Sequence, residues 1–430
     1  MIEWKLSDKV LKGDKEIKPS VKRWSGTIVP IIREWWVLHH TTFLRLAIVL
    51  MAVLALLKLG TEFWRLLLDS GPNGARDLRS LHELVHRWFT GKPVYSDLKI
   101  VGIAVYPPAS YIILWPFLGW LAVTPARWLW AVTSAGAMVW LVYLILKESH
   151  AERPLERTFV ALIPLSMNAT GVTIGNGQLI LHLLSLLVAG LYLTYPVRRG
   201  WGKDLFGAGL LLITLVKPNV SIPFFWIILF RHGGLRIAVL TSLGYVALTF
   251  FAVCFQQMEL MTLLGQWLVR ATEAAQGGYG DLHICLFTLG LEEWILPASL
   301  IALAALGFWV YCHRDGDYWL LLGVTALFAR FWTYHRLYDN LLILLPMIAL
   351  FRIAKRGLSV NGEDVMAGLL LAATTLIMLA PARLLITPPP WDQLFKSVQV
   401  IIWMATLIFL LRQSWEEKKI KVKQFLVNRT

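Results

Sequence analysis

The chain has 430 residues, of which 57% are hydrophobic and 16% are charged, and its formal net charge is +14. One water-soluble core cannot bury that much apolar surface, so the composition predicts a chain whose solvent is lipid. The positive charges stand at the chain ends and in short loops between apolar runs, which is the pattern of cytoplasmic segments in membrane proteins. They form no basic stripe, which argues against nucleic acid as a partner.

Residues 1–42 form a polar, basic segment before the first long apolar run. Because about forty such residues precede the run near 43–59, the pattern predicts an uncleaved membrane anchor and not a cleavable signal peptide. Thirteen apolar runs of helical length then follow. They lie near 43–59, 103–123, 127–146, 158–174, 178–195, 204–217, 219–231, 235–255, 294–312, 318–331, 339–352, 364–381 and 395–411.

The basic residues at the two ends predict that both termini are cytoplasmic. They are Lys5, Lys9, Lys12, Lys15, Lys18, Lys22, Arg23 and Arg33 at one end and Lys418, Lys419, Lys421, Lys423 and Arg429 at the other. Thirteen crossings would place the two termini on opposite sides of the membrane. Prolines interrupt the 103–123 run, so we expect that run to enter the membrane without crossing it, which leaves about twelve spans.

The predicted fold is therefore an all-α polytopic membrane protein with a transmembrane domain at 43–411 and a basic cytoplasmic tail at 412–430. Segments 60–100 and 256–293 become large extracytoplasmic loops. Several runs are shorter than the ~20 residues of a straight span, and Pro218 separates two of them. Short and broken helices typically surround a cavity.

The first outer loop contains an amphipathic pattern over residues 77–89, which predicts a helix lying in the membrane interface. Gly91, followed by Lys92 and Pro93, supplies the stop signal. Asp77 stands at the start of this pattern and has two interpretations. It caps the helix, acts as a general base, or does both, because a carboxylate at a helix start stays ionised.

Two further polar clusters fall on the same face of the membrane. Lys217 ends an apolar run, where it either extends to the interface or binds a partner, and Asn219 follows it after a helix-breaking proline. Gln178 belongs to a glycine-containing turn, and a plain turn between two spans does not need this amide.

The richest cluster is the segment 330–340. Its cations Arg330, His335 and Arg336 are suited to a phosphate group, and the rings of Trp332 and Tyr334 are suited to a sugar. The alternative is an aromatic belt with loop charges, but a belt does not explain an arginine inside an apolar run.

These clusters, in this order, resemble glycosyltransferase family 87, membrane transferases of GT-C architecture that include phosphatidylinositol-mannoside mannosyltransferases. The matching elements lie within about residues 60–350. They are the Asp77 to Tyr95 stretch, Tyr106-Pro107-Pro108, Gly177-Gln178, Lys217-Pro218 and Trp332-Thr333-Tyr334-His335.

The resemblance implies a bundle of the GT-C kind and a polyprenyl-phosphate sugar as donor, with Asp77 as the base. The acceptor is then a lipid or a glycan, and the sugar is mannose or another hexose or pentose. Lys217, His335, Arg336 and Arg330 are expected to bind the donor phosphate. Contacts with sugar or acceptor are expected from Gln178, Asn219, Tyr106, Trp332 and Tyr334.

The resemblance also implies an enzyme of the cell envelope, in the plasma (inner) membrane, with its active site on the extracytoplasmic face. We expect no cofactor other than the lipid-linked co-substrate. No spacing of acidic residues dictates a metal site, which leaves divalent-metal dependence open. The alternative function is a transporter or flippase for an anionic amphiphile, which also uses broken helices and buried cations.

Overall fold

The computed structural model describes residues 28–96, 104–194, 200–356 and 362–427. The chain divides into two compact units, Met1–His40 and Thr41–Thr430. Of the first unit, the described part is the helical start of α1, and all other helices belong to the second. The basic residues before Ile28 lie outside the described residues, as do Arg429 and the side chains of Arg33 and Lys423.

The described ranges contain helices and no strand, as the apolar runs predict. There are seventeen α-helices in these ranges: α1 Ile28–Leu67, α2 Arg76–Phe89, α3 Pro108–Leu118, α4 Val123–Glu148, α5 Pro154–Ser166, α6 Asn168–Asn176, α7 Ile180–Leu193, α8 Trp201–Thr214, α9 Pro218–Phe230, α10 Leu235–Val253, α11 Leu260–Glu273, α12 Leu282–Thr288, α13 Ile295–His313, α14 Tyr318–Trp332, α15 Leu344–Lys355, α16 Glu363–Leu379 and α17 Trp391–Val427.

Each of the thirteen predicted runs contains a helix in the described ranges. The 158–174 run is divided into α5 and α6, and the 339–352 run begins as the 3₁₀ helix Leu337–Ile343 before α15. Pro218 opens α9, where its missing N–H costs no helical hydrogen bond. The 256–293 loop contains α11 and α12, which no apolar run predicted.

Six described helices are long and apolar enough to cross a membrane, or seven if α5 and α6, bent by 45°, count as one span. The chain is thus a multi-pass membrane protein. The helix within the 103–123 run, α3, has 11 residues and is about 17 Å long, too short for a straight crossing. The number of twelve spans stays a prediction, because α7, α9 and α14 are short apolar helices as well.

The packing separates a central group of helices from an outer group. Helices α7, α14 and α15 bury their apolar residues on almost every side. The outer helices α1, α4, α10, α13 and α17 instead expose large apolar side chains, such as Leu56, Val132, Leu243, Phe308 and Ile401. Exposed apolar surface of this extent requires lipid around it.

The amphipathic helix of the first outer loop is present as α2, and it ends one residue before the cap Thr90, with Gly91 in the left-handed conformation at φ 68°. Its apolar face is buried in the protein, through Leu81, Val85 and Trp88 among others. The face therefore packs on neighbouring helices such as α3. That the helix lies in the membrane interface stays a prediction.

Candidate functional site

Asp77 lies in the first turn of α2, and the prediction that it caps the helix is wrong. The helix begins at Arg76, and its N-cap residue is Ala75, in the left-handed conformation with φ 50° and ψ 36°. Ala75 is fully buried, and its N–H donates a hydrogen bond of 3.2 Å to the carbonyl of Gly175. A left-handed alanine is uncommon, and here it is accompanied by this hydrogen bond to the last turn of α6.

The loop before α2 is held by two arginines that donate to backbone carbonyls. Arg127 of α4 donates from Nε to the carbonyl of Leu66 at 2.5 Å and from Nη2 to that of Asp69 at 2.7 Å. Arg79 of α2 donates from Nη1 to the carbonyl of Gly71 at 2.9 Å. Cations satisfy the carbonyls at the end of α1 and fix the chain that leads to Asp77.

The Asp77 carboxylate is half-buried and is held by Gln178. Gln178 Nε2 donates a hydrogen bond of 2.8 Å to Asp77 Oδ2. Within the described residues no other hydrogen bond to this carboxylate is found, so Oδ1 is available to accept one. The amide of the predicted turn therefore binds the proposed base, and a contact of Gln178 with a sugar hydroxyl stays a prediction.

The position of Gln178 follows from the end of α6. Gly177 terminates the helix in the left-handed conformation at φ 71°, and the N–H of Gln178 donates to the carbonyl of Thr173 at 2.8 Å. A side chain at Gly177 would meet the Cβ of Leu78 at 2.5 Å. Gln178 Oε1 is buried and, among the described residues, has no hydrogen-bond partner.

A second cluster is centred on Asp339, which is fully buried. Lys217 Nζ donates to Asp339 Oδ1 at 2.5 Å, and the N–H of Arg336 donates to Oδ2 at 3.1 Å. His335 Nδ1 lies 3.2 Å from the same Oδ2. Lys217 Nζ also lies 4.6 Å from the centre of the Tyr338 ring. The charge of Lys217 is therefore balanced inside the protein.

His335 is fully buried between two acceptors. Its Nε2 lies 2.6 Å from the carbonyl of Ala329, and Nδ1 faces Asp339. Burial lowers the pKa of His335 below its ordinary value, and the Asp339 carboxylate acts in the opposite sense. Arg336 is exposed and donates from Nη1 to the carbonyl of Gly277 at 2.9 Å.

Arg330 is fully buried in a separate polar network. Its Nε donates to Asn340 Oδ1 at 2.9 Å, and Nη2 donates to the carbonyl of Tyr279 at 3.1 Å. The guanidinium also lies 5.0 Å from the centre of the Trp403 ring. These contacts fasten the 256–293 loop to α14 and α17. Nη1 is buried and has no hydrogen-bond partner among the described residues, so a contact of Arg330 with phosphate stays a prediction.

The remaining predicted residues connect the segment after α14 to α9. Asn219 Nδ2 donates to the carbonyl of Tyr334 at 3.2 Å, and Trp332 Nε1 donates to the carbonyl of Asn219 at 3.1 Å. Trp332 is buried and Tyr334 is half-buried. The amide of Asn219 is thus used within the protein, and contacts of these three residues with sugar stay predictions.

Tyr106 relates the two clusters to each other. Burial raises the pKa of its hydroxyl well above the ordinary value, and the negative charges of Asp77 and Asp339 raise it further. The hydroxyl therefore stays protonated, in the electrostatic field of both carboxylates. Tyr95 fixes the backbone here, since its hydroxyl donates to the carbonyl of Tyr106 at 2.6 Å.

The arrangement combines a carboxylate that can accept a proton with cations and a neutral phenol nearby. Sequence reasoning missed Asp339, although an acidic residue at the start of an apolar run signals a buried partner. As to metals, no group of three or more His, Cys, Asp or Glu side chains in the described ranges is arranged to hold an ion.

The model of glycosyltransferase family 87 matches residues 104–337, more than half of the chain. The matched range begins after Asp77 and ends before Asp339. It includes Tyr106, Gln178, Lys217 and the segment from Arg330 to Arg336. No curated protein and no solved structure matches the chain.

Proposed function

The chain belongs to glycosyltransferase family 87 and is a membrane glycosyltransferase, and we propose that it transfers a sugar from a polyprenyl-phosphate donor to a lipid or glycan acceptor. The sugar is mannose or another hexose or pentose. Inversion at the anomeric carbon accompanies the transfer, which takes place on the extracytoplasmic face of the plasma membrane. This family gives no support to the transporter alternative.

The observation that carries the proposal is the state of Asp77. A general base needs an oxygen that is free to accept a proton and a group that fixes its orientation. Asp77 has both, because Gln178 binds Oδ2 at 2.8 Å and Oδ1 has no partner among the described residues. Asp339, the other carboxylate near Tyr106, has cationic or N–H partners at both oxygens.

In the proposed reaction Asp77 takes the proton of an acceptor hydroxyl while the acceptor oxygen bonds to the anomeric carbon. The bond from that carbon to the phosphate oxygen breaks on the opposite side, and the polyprenyl phosphate leaves with the electron pair. Asp77 then releases its proton to water. The leaving phosphate needs no added proton, because it is stable as an anion.

We propose that Lys217 and Arg336 stabilise the leaving phosphate, while the buried His335 holds Asp339 behind Lys217. Lys217 is paired with Asp339 at 2.5 Å, so a phosphate that approaches it shares an existing ion pair. The guanidinium of Arg336 is exposed at the edge of this cluster. Cations that are already fixed near a developing negative charge stabilise it without reorganisation. Arg330 lies in the neighbouring network with Asn340 and Tyr279, and its contact with phosphate stays a prediction.

The proposed topology has both termini in the cytoplasm. It rests on the basic ends of the chain and on the positions of the polar clusters along it. With that orientation α1 ends outside, and the chain from Leu68 to Asp77 follows directly from it. The base is then on the side where a translocated polyprenyl-phosphate sugar presents its head group.

Product analysis with purified protein tests the function. The protein is offered a panel of polyprenyl-phosphate sugars together with membrane lipid extract, and products are identified by mass and their anomeric configuration by NMR. We expect one new glycolipid or glycan with inverted configuration, and none with Asp77→Asn. A product of retained configuration, or counterflow of substrate in liposomes without covalent product, would contradict the proposal.

A further inference from the structure

The membrane span of α1 carries three charged side chains on one face. Lys58, Glu62 and Arg65 follow one another at intervals of four and three residues, which places them in a row along the helix. All three are half-buried. Charged residues within a span are costly, and they persist where a partner or a function stabilises them. The proposed reaction uses none of the three.

Two glycines of α6 form the surface on which this row lies. A Cβ at Gly171 would meet Cγ of Lys58 at 2.6 Å, and one at Gly175 would meet the Glu62 carboxylate and, at 2.6 Å, Nε of Arg65. Since a side chain at either glycine would displace the row, the two glycines make the cleft that admits it. Gly60 of α1, by contrast, has nothing within 4 Å of an added Cβ.

The row has one more cation than anion. Arg65 Nη1 lies 3.1 Å from Glu62 Oε2, and Arg65 Nη2 donates to Asn176 Oδ1 at 2.5 Å. Glu62 is thus paired with Arg65. In the described ranges the ammonium of Lys58 has neither a hydrogen bond nor an ion pair within 4 Å, although it interacts electrostatically with Glu62. The surplus positive charge is therefore that of Lys58.

The row lies within the last ten residues of the candidate span Thr41–Leu67. Because about 20 residues suffice to cross the hydrocarbon core, a count from Thr41 reaches the head-group level near Glu62. Lys58 and Arg65 lie one turn to either side of that point. Phosphate is the anion that membrane amphiphiles carry at this level, and a lysine ammonium and an arginine guanidinium both bind it.

The cleft is also continuous with the candidate site. Arg65 contacts Asn176, and two residues later Gln178 contacts Asp77. We propose that Lys58, with Arg65 beside it, binds the phosphate of a membrane amphiphile between α1 and α6. The inference rests on the proposed function for the identity of that amphiphile, which is a polyprenyl phosphate bound before it reaches Lys217 or a phospholipid on the acceptor side.

Direct binding tests the site without requiring transfer. Purified protein in a phosphate-free maltoside detergent is titrated with a polyprenyl phosphate, with the corresponding polyprenol and with phosphatidylglycerol, and binding is followed by native mass spectrometry. We expect Lys58→Gln to weaken phosphate binding about tenfold or more, which is the effect of losing a charge-assisted hydrogen bond. Polyprenol binding should not change.

Matched variants separate the ligand from general effects of charge and packing. Lys396→Gln removes a lysine that is already paired with Asp392 at 2.9 Å, and it should bind as the unaltered protein does. Gly171→Ala keeps every charge but displaces Lys58, so it should weaken phosphate binding, whereas Gly60→Ala should not. Lys58→Arg, which retains the charge, should retain most of the affinity if Lys58→Gln folds poorly.

The titrations with the two phosphate-containing lipids distinguish a donor site from a phospholipid site. A loss confined to polyprenyl phosphate assigns the site to the donor, and a loss confined to phosphatidylglycerol assigns it to a phospholipid. Unchanged affinity for both in Lys58→Gln and Gly171→Ala overturns the inference and leaves the proposed function standing. Conversely, if Asp77→Asn retains full transfer, the proposed base is wrong, while the binding data still decide the phosphate site.

Discussion

Asp77 and Asp339 are two aspartates in the first turns of helical segments, and the protein holds them in opposite ways. Asp77 is half-buried and accepts one hydrogen bond, from the neutral amide of Gln178. Asp339 is fully buried and is bound by the ammonium of Lys217 and the N–H of Arg336, with His335 beside it. Both carboxylates act on the hydroxyl of Tyr106.

The difference shows why a buried charged cluster is not by itself the reacting centre. A carboxylate with an ammonium at one oxygen and an N–H at the other is stabilised as an anion and is a poor acceptor for a further proton. Asp339 therefore suits a structural role that holds Lys217 and the 333–339 segment. Asp77 has one oxygen that can accept a proton from the substrate. The proposed base and the carboxylate that holds the phosphate-binding cations are therefore two different residues.

Replacing Asp77 should have the largest effect on activity. We expect Asp77→Asn to lower the transfer rate by about 10²–10⁴-fold, the usual contribution of a general base, because the amide cannot take the acceptor proton. The isosteric side chain should leave thermal unfolding in detergent unchanged. Rates are measured with a lipid-linked sugar donor, and stability is measured on the same preparation.

Asp69→Asn is the matched control, since Asp69 lies in the loop between α1 and α2 and its Oδ1 accepts from the N–H of Gly71 at 2.8 Å. That variant should keep its transfer rate within a small factor. If Asp77→Asn transferred sugar as fast as the unaltered enzyme, the contrast between the two aspartates would no longer identify the base.

Replacing Asp339 should instead affect stability first. Asp339→Asn leaves the buried ammonium of Lys217 without a counter-charge, which costs about 3–5 kcal/mol when one partner of a buried pair is removed. We expect a clear drop in the free energy of unfolding, measured by denaturant titration in micelles. Adding Lys217→Met removes the unpaired charge and should recover part of the loss.

The recovered double variant then separates the two roles of Lys217. It should remain slow in transfer, because the proposed phosphate ligand is gone.

The control for the loss of an ion pair is Asp392→Asn, which breaks a half-exposed pair with Lys396 and should cost at most about 1 kcal/mol of stability. A stable Asp339→Asn variant would show that Lys217 does not need this carboxylate.

Much of the fold could be predicted from local patterns. The apolar runs gave the helices because burial in lipid demands long apolar segments, and Gly91 and Pro218 marked boundaries through their own backbone chemistry. The start of α2 could not be predicted in this way. There Ala75 is in the left-handed conformation and donates to the carbonyl of Gly175, a hundred residues away along the chain.

The sequence predicted which residue types form the site, but it did not predict which side chains contact each other. Polar residues at membrane depth identified the Gln178, Lys217 and 330–340 clusters, because lipid makes such residues costly without a purpose. Their partners are distant, as Gln178 stands 101 residues from Asp77 and Lys217 stands 122 residues from Asp339. Arg330 illustrates this, since its charge predicted a phosphate contact, but nothing in the sequence indicated Asn340 and Tyr279 as its neighbours.

The smallest of the three effects is expected when Gln178 is replaced. This replacement tests whether the orientation of the Asp77 carboxylate contributes to the rate separately from its ability to accept a proton. Gln178→Leu removes the hydrogen bond to the Asp77 carboxylate, a bond to a charged group of about 1.5–3 kcal/mol, so we expect kcat to fall roughly tenfold or more. The KM for the donor should change little, since this amide contacts the base.

The matched control is Gln256→Leu, which removes a buried amide that donates to the carbonyl of Trp88 at 2.8 Å. It should lower stability without lowering kcat. In the double variant Asp77→Asn/Gln178→Leu the second change should add almost nothing to the rate loss, because the two residues act as one unit. Additive losses would mean that Gln178 contacts the substrate directly, and its buried, unpartnered Oε1 would then be the atom responsible.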